Sequence, residues 1–236
     1  MFSGTYGHNG NPKVGKHVSV VNREAVETCP GASEWCVVCY ALHGNFQRFN
    51  LQAKYRSAVL ELPVNIRDLM RWHVSGDFDT AEYIRMAIQY MEDHPDTKFW
   101  AYTRSWNVPE LLPELERMRE LRNMQLFASV DPTMPEPPPG WRIAYPETDD
   151  RFTGITCLEQ ACSRACPDGC KGKGKAHIPI MPDCERCTYC FRKPAGNVRW
   201  ILHSGGYCIA QNNRRLDHDR TSLRRTDPLE PQVFRV

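Results

Sequence analysis

Three cysteines stand in one short run, Cys29-Pro-Gly-Ala-Ser-Glu-Trp-Cys36-Val-Val-Cys39, and eight more, Cys157, Cys162, Cys166, Cys170, Cys184, Cys187, Cys190 and Cys208, crowd the last third of the chain. Thiolates ligate metals, and a cubane iron–sulfur cluster takes four of them. Eight cysteines would serve two such clusters. Three would leave one iron without a protein ligand, and an open coordination position separates a reactive metal site from a closed structural one. The run Cys184-Glu-Arg-Cys187-Thr-Tyr-Cys190 has the paired two-residue gaps at the core of ferredoxin ligation. Pro194 stands where a further cysteine would come, so the fourth ligand must come from elsewhere, with Cys157 and Cys208 as candidates. Around Cys162, Cys166 and Cys170, Pro167 and Gly169 argue for a wrapping loop over a single helix. Zinc is the competing metal, although zinc ribbons use two spaced pairs where this run has a triple.

Compartment decides between metal ligands and disulfides. The opening MFSGTYGHNGNPKVGK lacks the apolar stretch of a secretory signal, and no later run approaches the roughly 20 apolar residues of a membrane span. The expected location is the cytoplasm, without membrane contact, where a reducing environment keeps thiols available. The cysteine count of 11 is odd, and a chain of 236 residues can build a core without covalent staples. With 41% hydrophobic and 25% charged residues the composition is that of a globular protein. Net charge is only +2, yet Lys171, Lys173, Lys175, Arg214, Arg224 and Arg225 all fall in the last third. That basic region would suit nucleic acid, or would offset cluster-bound thiolates. The chain has no Walker loop, no Gly-x-Ser-x-Gly elbow and no dinucleotide fingerprint, which removes the commonest phosphate-binding and serine-hydrolase readings.

The elements that must position the cysteines alternate along the chain. His17–Val21 (HVSVV) is a β-branched run leading to Cys29, and Gln47–Leu62 sets Leu51, Tyr55, Val59 and Leu62 at helical spacing before Pro63. Leu69–Val74 predicts a strand, Ser75-Gly76-Asp77 a turn, and Ala81–Met91 a helix with Ile84, Ala87, Ile88 and Met91 on one face. Lys98–Thr103 and Pro109–Leu121 repeat the unit, and Gln125–Val130 begins it again before a proline-rich loop. Trp141–Tyr145 and Gly154–Cys157 fit a fifth and a sixth strand, and Val198–His203 a further one. This order predicts an α/β fold with a parallel sheet, open or rolled into a barrel. Six strands suit a six-stranded partial (β/α) barrel over 1–153, followed over 154–236 by a cysteine-rich, loop-dominated C-terminal appendage. In such folds chemistry gathers at the carboxyl ends of strands. The Cys29 loop, Ser75-Gly76-Asp77, Thr103-Arg104-Ser105 and Ser129-Val130-Asp131 all fall there.

Cys36-Val-Val-Cys39-Tyr40-Ala41, after a first strand and before a helix, resembles the cluster loop of the radical S-adenosylmethionine (SAM) enzymes, with a variant gap of six residues between Cys29 and Cys36. Ser75-Gly76-Asp77 is similar to that family's glycine-rich acidic segment. The resemblance covers roughly residues 17 to 158. It implies the partial barrel, a [4Fe-4S] cluster on Cys29, Cys36 and Cys39, and reductive cleavage of SAM to a 5′-deoxyadenosyl radical. SAM would be held by Tyr40, Ser75, Gly76 and Asp77, the last against the methionyl amine, with Thr103 and Ser129 near the ribose. Auxiliary clusters on the distal cysteines would bring the total to as many as three, and an electron donor such as flavodoxin or ferredoxin is implied. The chain as a whole also resembles a cysteine-rich family encoded by bacteriophages, of unassigned function. The alternative to an enzyme is a non-catalytic iron–sulfur or zinc protein, acting as a redox sensor or a nucleic-acid- or protein-binding module.

Overall fold

The computed structural model describes residues 5–9, 14–42, 68–157, 183–192 and 196–201, with the side chains of 5–9, 37, 38 and 40 left aside. The expected helix Gln47–Leu62 and the ligand candidates Cys162, Cys166, Cys170 and Cys208 lie outside the described residues. All described residues belong to one compact unit, Met1–Ile201, which contains the expected boundary at 153/154.

Short β-branched and aromatic runs make the sheet, because such side chains pack well on a pleated surface. Strands β2 (Ser19–Arg23), β3 (Leu69–Trp72), β4 (Lys98–Thr103), β5 (Met124–Ser129), β6 (Arg142–Pro146), β7 (Ile155–Thr156) and β8 (Val198–Trp200) are parallel. Strand β1 (Thr5–Asn9) pairs antiparallel with β2 at one edge. The order is β1-β2-β3-β4-β5-β6-β8-β7. The α/β class and the parallel sheet are as the alternation predicts, and each parallel strand overlaps an expected one. Two features differ. Strand β1 (TYGHN) has no apolar alternation and is defined by its backbone pairing alone. Strand β8 inserts between β6 and β7, so the cysteine-rich region returns strands to the sheet.

Helix α1 (Ala81–Glu92) begins at Thr80, whose hydroxyl accepts from the Tyr83 N–H at 3.1 Å. It buries Tyr83, Ile84, Ala87, Ile88 and Met91, and each aliphatic of this size taken from water is worth about 1.5–3 kcal/mol. Helix α2 (Leu112–Glu120) starts with Pro113 in its first turn and buries Leu115 and Met118. Both helices cover one face of the sheet, over Met70, Trp72, Phe99, Ala101, Leu126 and Ala128. The opposite face presents Val20, Trp100, Phe127, Ala144 and Val198. Against it packs the segment that follows the helical turn α3 (Cys184–Cys187), with the Phe191 ring tilted against Trp100 at 5.0 Å between centroids. Among the described residues no helix is long and apolar enough to cross a membrane.

Candidate functional site

A parallel sheet gathers the carboxyl ends of its strands on one edge, and the Cys29 loop is fastened to three of them. At β3, the Asp77 N–H donates to Thr28 Oγ1 at 3.2 Å. Gly76 holds φ +76°, and a Cβ there would meet both Arg23 Cβ and Thr28 Oγ1 at 2.6 Å, so only glycine allows this approach. At β4, Gly31 lies so close to the Arg104 carbonyl that a Cβ would collide with it. At β5, Ser33 Oγ donates to Asp131 Oδ2 at 2.5 Å, and the Arg104 guanidinium binds the same carboxylate. Tight turns carry the chain between the cysteines: Ala32 N–H to Cys29 O at 3.0 Å, Cys36 N–H to Ser33 O at 2.9 Å and Cys39 N–H to Cys36 O at 3.0 Å. The six-residue gap is therefore a docked structure, with Ser33 also capping the short 3-10 helix Glu34–Val38.

Asp77 is the hub beneath the loop. Its carboxylate accepts from the Thr103 hydroxyl at 2.6 Å, the Arg104 N–H at 2.7 Å and the Phe78 N–H at 2.7 Å. Burial pushes its pKa up to about 6 against those hydrogen bonds. Burial also pushes the Cys29 thiol up to about 12, with the Asp77 charge and the neighbouring Cys39 and Cys36 adding to it. Cys39 is raised by burial and by Cys36, while the Arg104 charge opposes the shift. The three thiols thus lie within one another's field. Burial alone would raise Asp131, but hydrogen bonds from Ser33, Thr133 and Arg104 outweigh it and hold the carboxyl at about 2.

The expected residues divide by what they touch. Asp77 and Thr103 bond to each other, and the Ser75 hydroxyl donates to the Arg23 carbonyl at 3.1 Å. The Ser129 carbonyl accepts from the Trp106 indole at 3.0 Å. Tyr40 begins the short turn Tyr40–Leu42 directly after Cys39. His73 is buried, hydrogen-bonded to Tyr83 at 2.9 Å and held well below the usual histidine range by burial and by Arg23 and Arg71, which makes it a structural residue. Sequence reasoning passed over Thr28, Gly31, Ser33, Arg104 and Asp131 as individuals. All five flank or lie within segments already marked by position at the ends of strands, and that position was the available signal.

Distally, Cys184 and Cys190 pack on the face of the sheet opposite α1 and α2, and Cys187 ends the helical turn α3 between them. Asp183 caps α3 by accepting from the Arg186 N–H at 2.9 Å, and Thr188, at φ +61°, turns the chain into the short 3-10 segment Tyr189–Phe191. The seven described cysteines are thiols and none forms a disulfide. Among the described residues no three His, Cys, Asp or Glu side chains converge as the ligands of a single ion would. Of the basic last third, Arg199 bonds the Thr156 hydroxyl at 2.9 Å and covers Phe152, so it serves the fold.

A family model described as Gene product 88 matches residues 7–193. The Gene 88 protein of Mycobacterium phage L5 is 29% identical over 133 residues, which is 52% of this chain and 50% of that protein. The chain thus matches about half the length of this curated relative. No solved structure matches. The expected likeness to a bacteriophage family stands on these two matches.

Proposed function

The chain belongs to the Gene product 88 family, and on that premise we propose that it is an iron–sulfur enzyme of radical SAM type working in the cytoplasm. The observation that carries this reading is the fastening of the Cys29, Cys36 and Cys39 loop across the carboxyl ends of β3, β4 and β5 by Thr28, Gly31 and Ser33. That edge is where parallel α/β folds hold ligands.

The donor set suits a [4Fe-4S] cluster. Cys29 and Cys39 are costly to ionise where they sit, so holding them as thiolates would take a bound cation beside them. When bound, such a cluster supplies the electron that cleaves SAM to a 5′-deoxyadenosyl radical. The protein's own part is placement. Arg104 sets a positive charge beside Cys39 and is itself fixed by Asp131. We read Asp77 and Thr103 as positioning residues, since the Asp77 carboxylate already holds three donors. Ser75, Gly76 and Tyr40 would then hold the methionyl and adenine portions, and Ser129 the ribose, as the resemblance implies. The distal cysteines serve auxiliary clusters, and a flavodoxin- or ferredoxin-type donor supplies electrons. The finer architecture in this reading is a partial barrel whose inner wall is the face opposite α1 and α2.

The test is anaerobic reconstitution of the full chain with iron and sulfide, followed by reduction in the presence of SAM. The expected outcome is iron and sulfide for as many as three cubane clusters and the appearance of 5′-deoxyadenosine by chromatography, absent from the Cys29/Cys36/Cys39→Ala variant. Cluster-replete protein that neither binds nor cleaves SAM would replace this reading with a non-catalytic iron–sulfur protein. Colourless protein carrying stoichiometric zinc would replace it with a zinc module.

A further inference from the structure

We propose that Cys157 is the fourth ligand of an iron–sulfur cluster held by Cys184, Cys187 and Cys190 on the face of the sheet opposite α1 and α2, and that Tyr102 and Trp100 are the hydrogen-bond donors that set its potential. The proposal rests on the iron–sulfur part of the reading above and is independent of SAM chemistry.

Strand alternation puts Cys157 on the required face. Ile155 is registered with Val198, and Cys157, two residues beyond Ile155, continues that side of β7 while its N–H donates to the Arg199 carbonyl at 2.8 Å. Val198 belongs to the face opposite α1 and α2 together with Phe127 and Ala144, and Cys157 and Cys190 both pack against that small core. Cys190 and Cys184 also pack against the adjoining cluster that contains Trp100 and Phe191. The two runs of sequence thus bring thiols to one surface, while Arg142 ties down the turn that carries Cys190. Its guanidinium donates to the Cys190 carbonyl at 3.1 Å, the Tyr189 carbonyl at 3.3 Å and the Gly196 carbonyl at 3.1 Å, and lies 4.0 Å over the Phe127 ring.

The surroundings are those of an anionic group. Four thiolates and their sulfides carry net negative charge, and Arg71 and Arg142 both act on Cys190. Glu185, the carboxylate on α3, pairs instead with His17 at 2.9 Å. Tyr102 packs with Cys190 against both small cores, and a side-chain hydrogen bond joins the two. Trp100 is fully buried, and its indole N–H has no partner. A buried donor left unmade costs about 1–3 kcal/mol and calls for an explanation, which a cluster sulfide or ligand sulfur next to Cys184 and Cys190 provides. Donors to cluster sulfur stabilise the more reduced, more negative state and so raise the potential. Thr188, a β-branched residue in the left-handed region, is strained in the way a ligand clamp can be, since it reverses the chain between Cys187 and Cys190.

The experiment uses the full chain, anaerobically reconstituted with iron and sulfide, and reads cysteine alkylation by mass spectrometry as iron is stripped with a chelator. Cys157, Cys184, Cys187 and Cys190 should be protected together and become reactive together. Alkylation of Cys157 in cluster-replete protein while the other three stay protected overturns the assignment. In the Cys29/Cys36/Cys39→Ala background, Cys157→Ser should remove one cluster's worth of iron or convert its electron paramagnetic resonance signal to a three-iron form. Unchanged iron, sulfide and spectrum overturn it as well. Tyr102→Phe and Trp100→Phe should each keep the iron and lower the midpoint potential of that cluster, and an unmoved potential in both removes their role. A wild-type protein that fails to cleave SAM but passes these tests leaves the four-thiolate site intact.

Discussion

The two cysteine groups differ in what surrounds them. The proximal loop sits on the carboxyl edge of the sheet, held by hydroxyls, backbone amides and two carboxylates, Asp77 and Asp131. The distal turn lies on the sheet's face among Trp100, Tyr102, Phe127 and Phe191, with arginines as the nearby charges. The edge surrounds its thiols with polar groups, and the face surrounds its thiols with aromatic rings. On the proposed reading this is the contrast between an open and a closed metal site, carried by the second layer of side chains as much as by cysteine number.

The largest expected effect tests that contrast directly. Cys29/Cys36/Cys39→Ala should abolish 5′-deoxyadenosine formation yet leave soluble protein with its distal iron. Cys184/Cys187/Cys190→Ala should lower solubility and thermal stability as well, because cluster binding there is coupled to packing of the sheet face. Identical behaviour of the two variants would erase the distinction. Next in size is Asp77→Ala, which orphans three donors at about 1–3 kcal/mol each and should cost both denaturant stability and proximal iron. A variant that lost only SAM affinity would make Asp77 a ligand contact after all. Gly31→Ala forces a methyl group against the Arg104 carbonyl, at about 1–3 kcal/mol for overpacking, and should deplete proximal iron while sparing the distal spectrum.

A smaller effect follows from Asp131. Its carboxyl is held at about 2 against an ordinary value of 3.8, so its contribution is present above the unfolded value and is lost as pH falls through the folded one. Urea unfolding of cluster-free protein between pH 5 and 2 should show roughly 2 kcal/mol of this loss, flattened in Asp131→Asn. The smallest effect is the control. Arg85→Ala breaks a surface pair with Glu114 at 2.9 Å and should change stability by under about 0.5 kcal/mol and neither cluster at all.

The parallel strands were legible because β-branched and aromatic runs such as KFWAYT and QLFASV bury on both faces and leave little else to do. Strand order was not. Nothing in VRW says that it will lie between RIAYP and IT, since that choice is made by pairing between distant segments. The edge strand TYGHN gave no pattern, as its contribution is backbone hydrogen bonding. At the site, the position of the Cys29 loop followed from its place after a strand. The use of its six-residue gap did not, because Gly31 and Ser33 acquire meaning only from Arg104 and Asp131, which arrive from β4 and β5. Asp77 is the same case: a carboxylate at a turn is visible in sequence, but its engagement by Thr103 and Arg104 is a tertiary fact.

The insertion of β8 between β6 and β7 also constrains biosynthesis. Strand β7 pairs with β8, and β6 meets β8 on the side away from β5, so β7 and that edge of β6 wait for a strand the ribosome makes later. At about 5–20 residues per second the nascent chain spends seconds with an open strand edge, a template for wrong pairing. Cys157 emerges early and Cys190 late, and their meeting depends on the same closure.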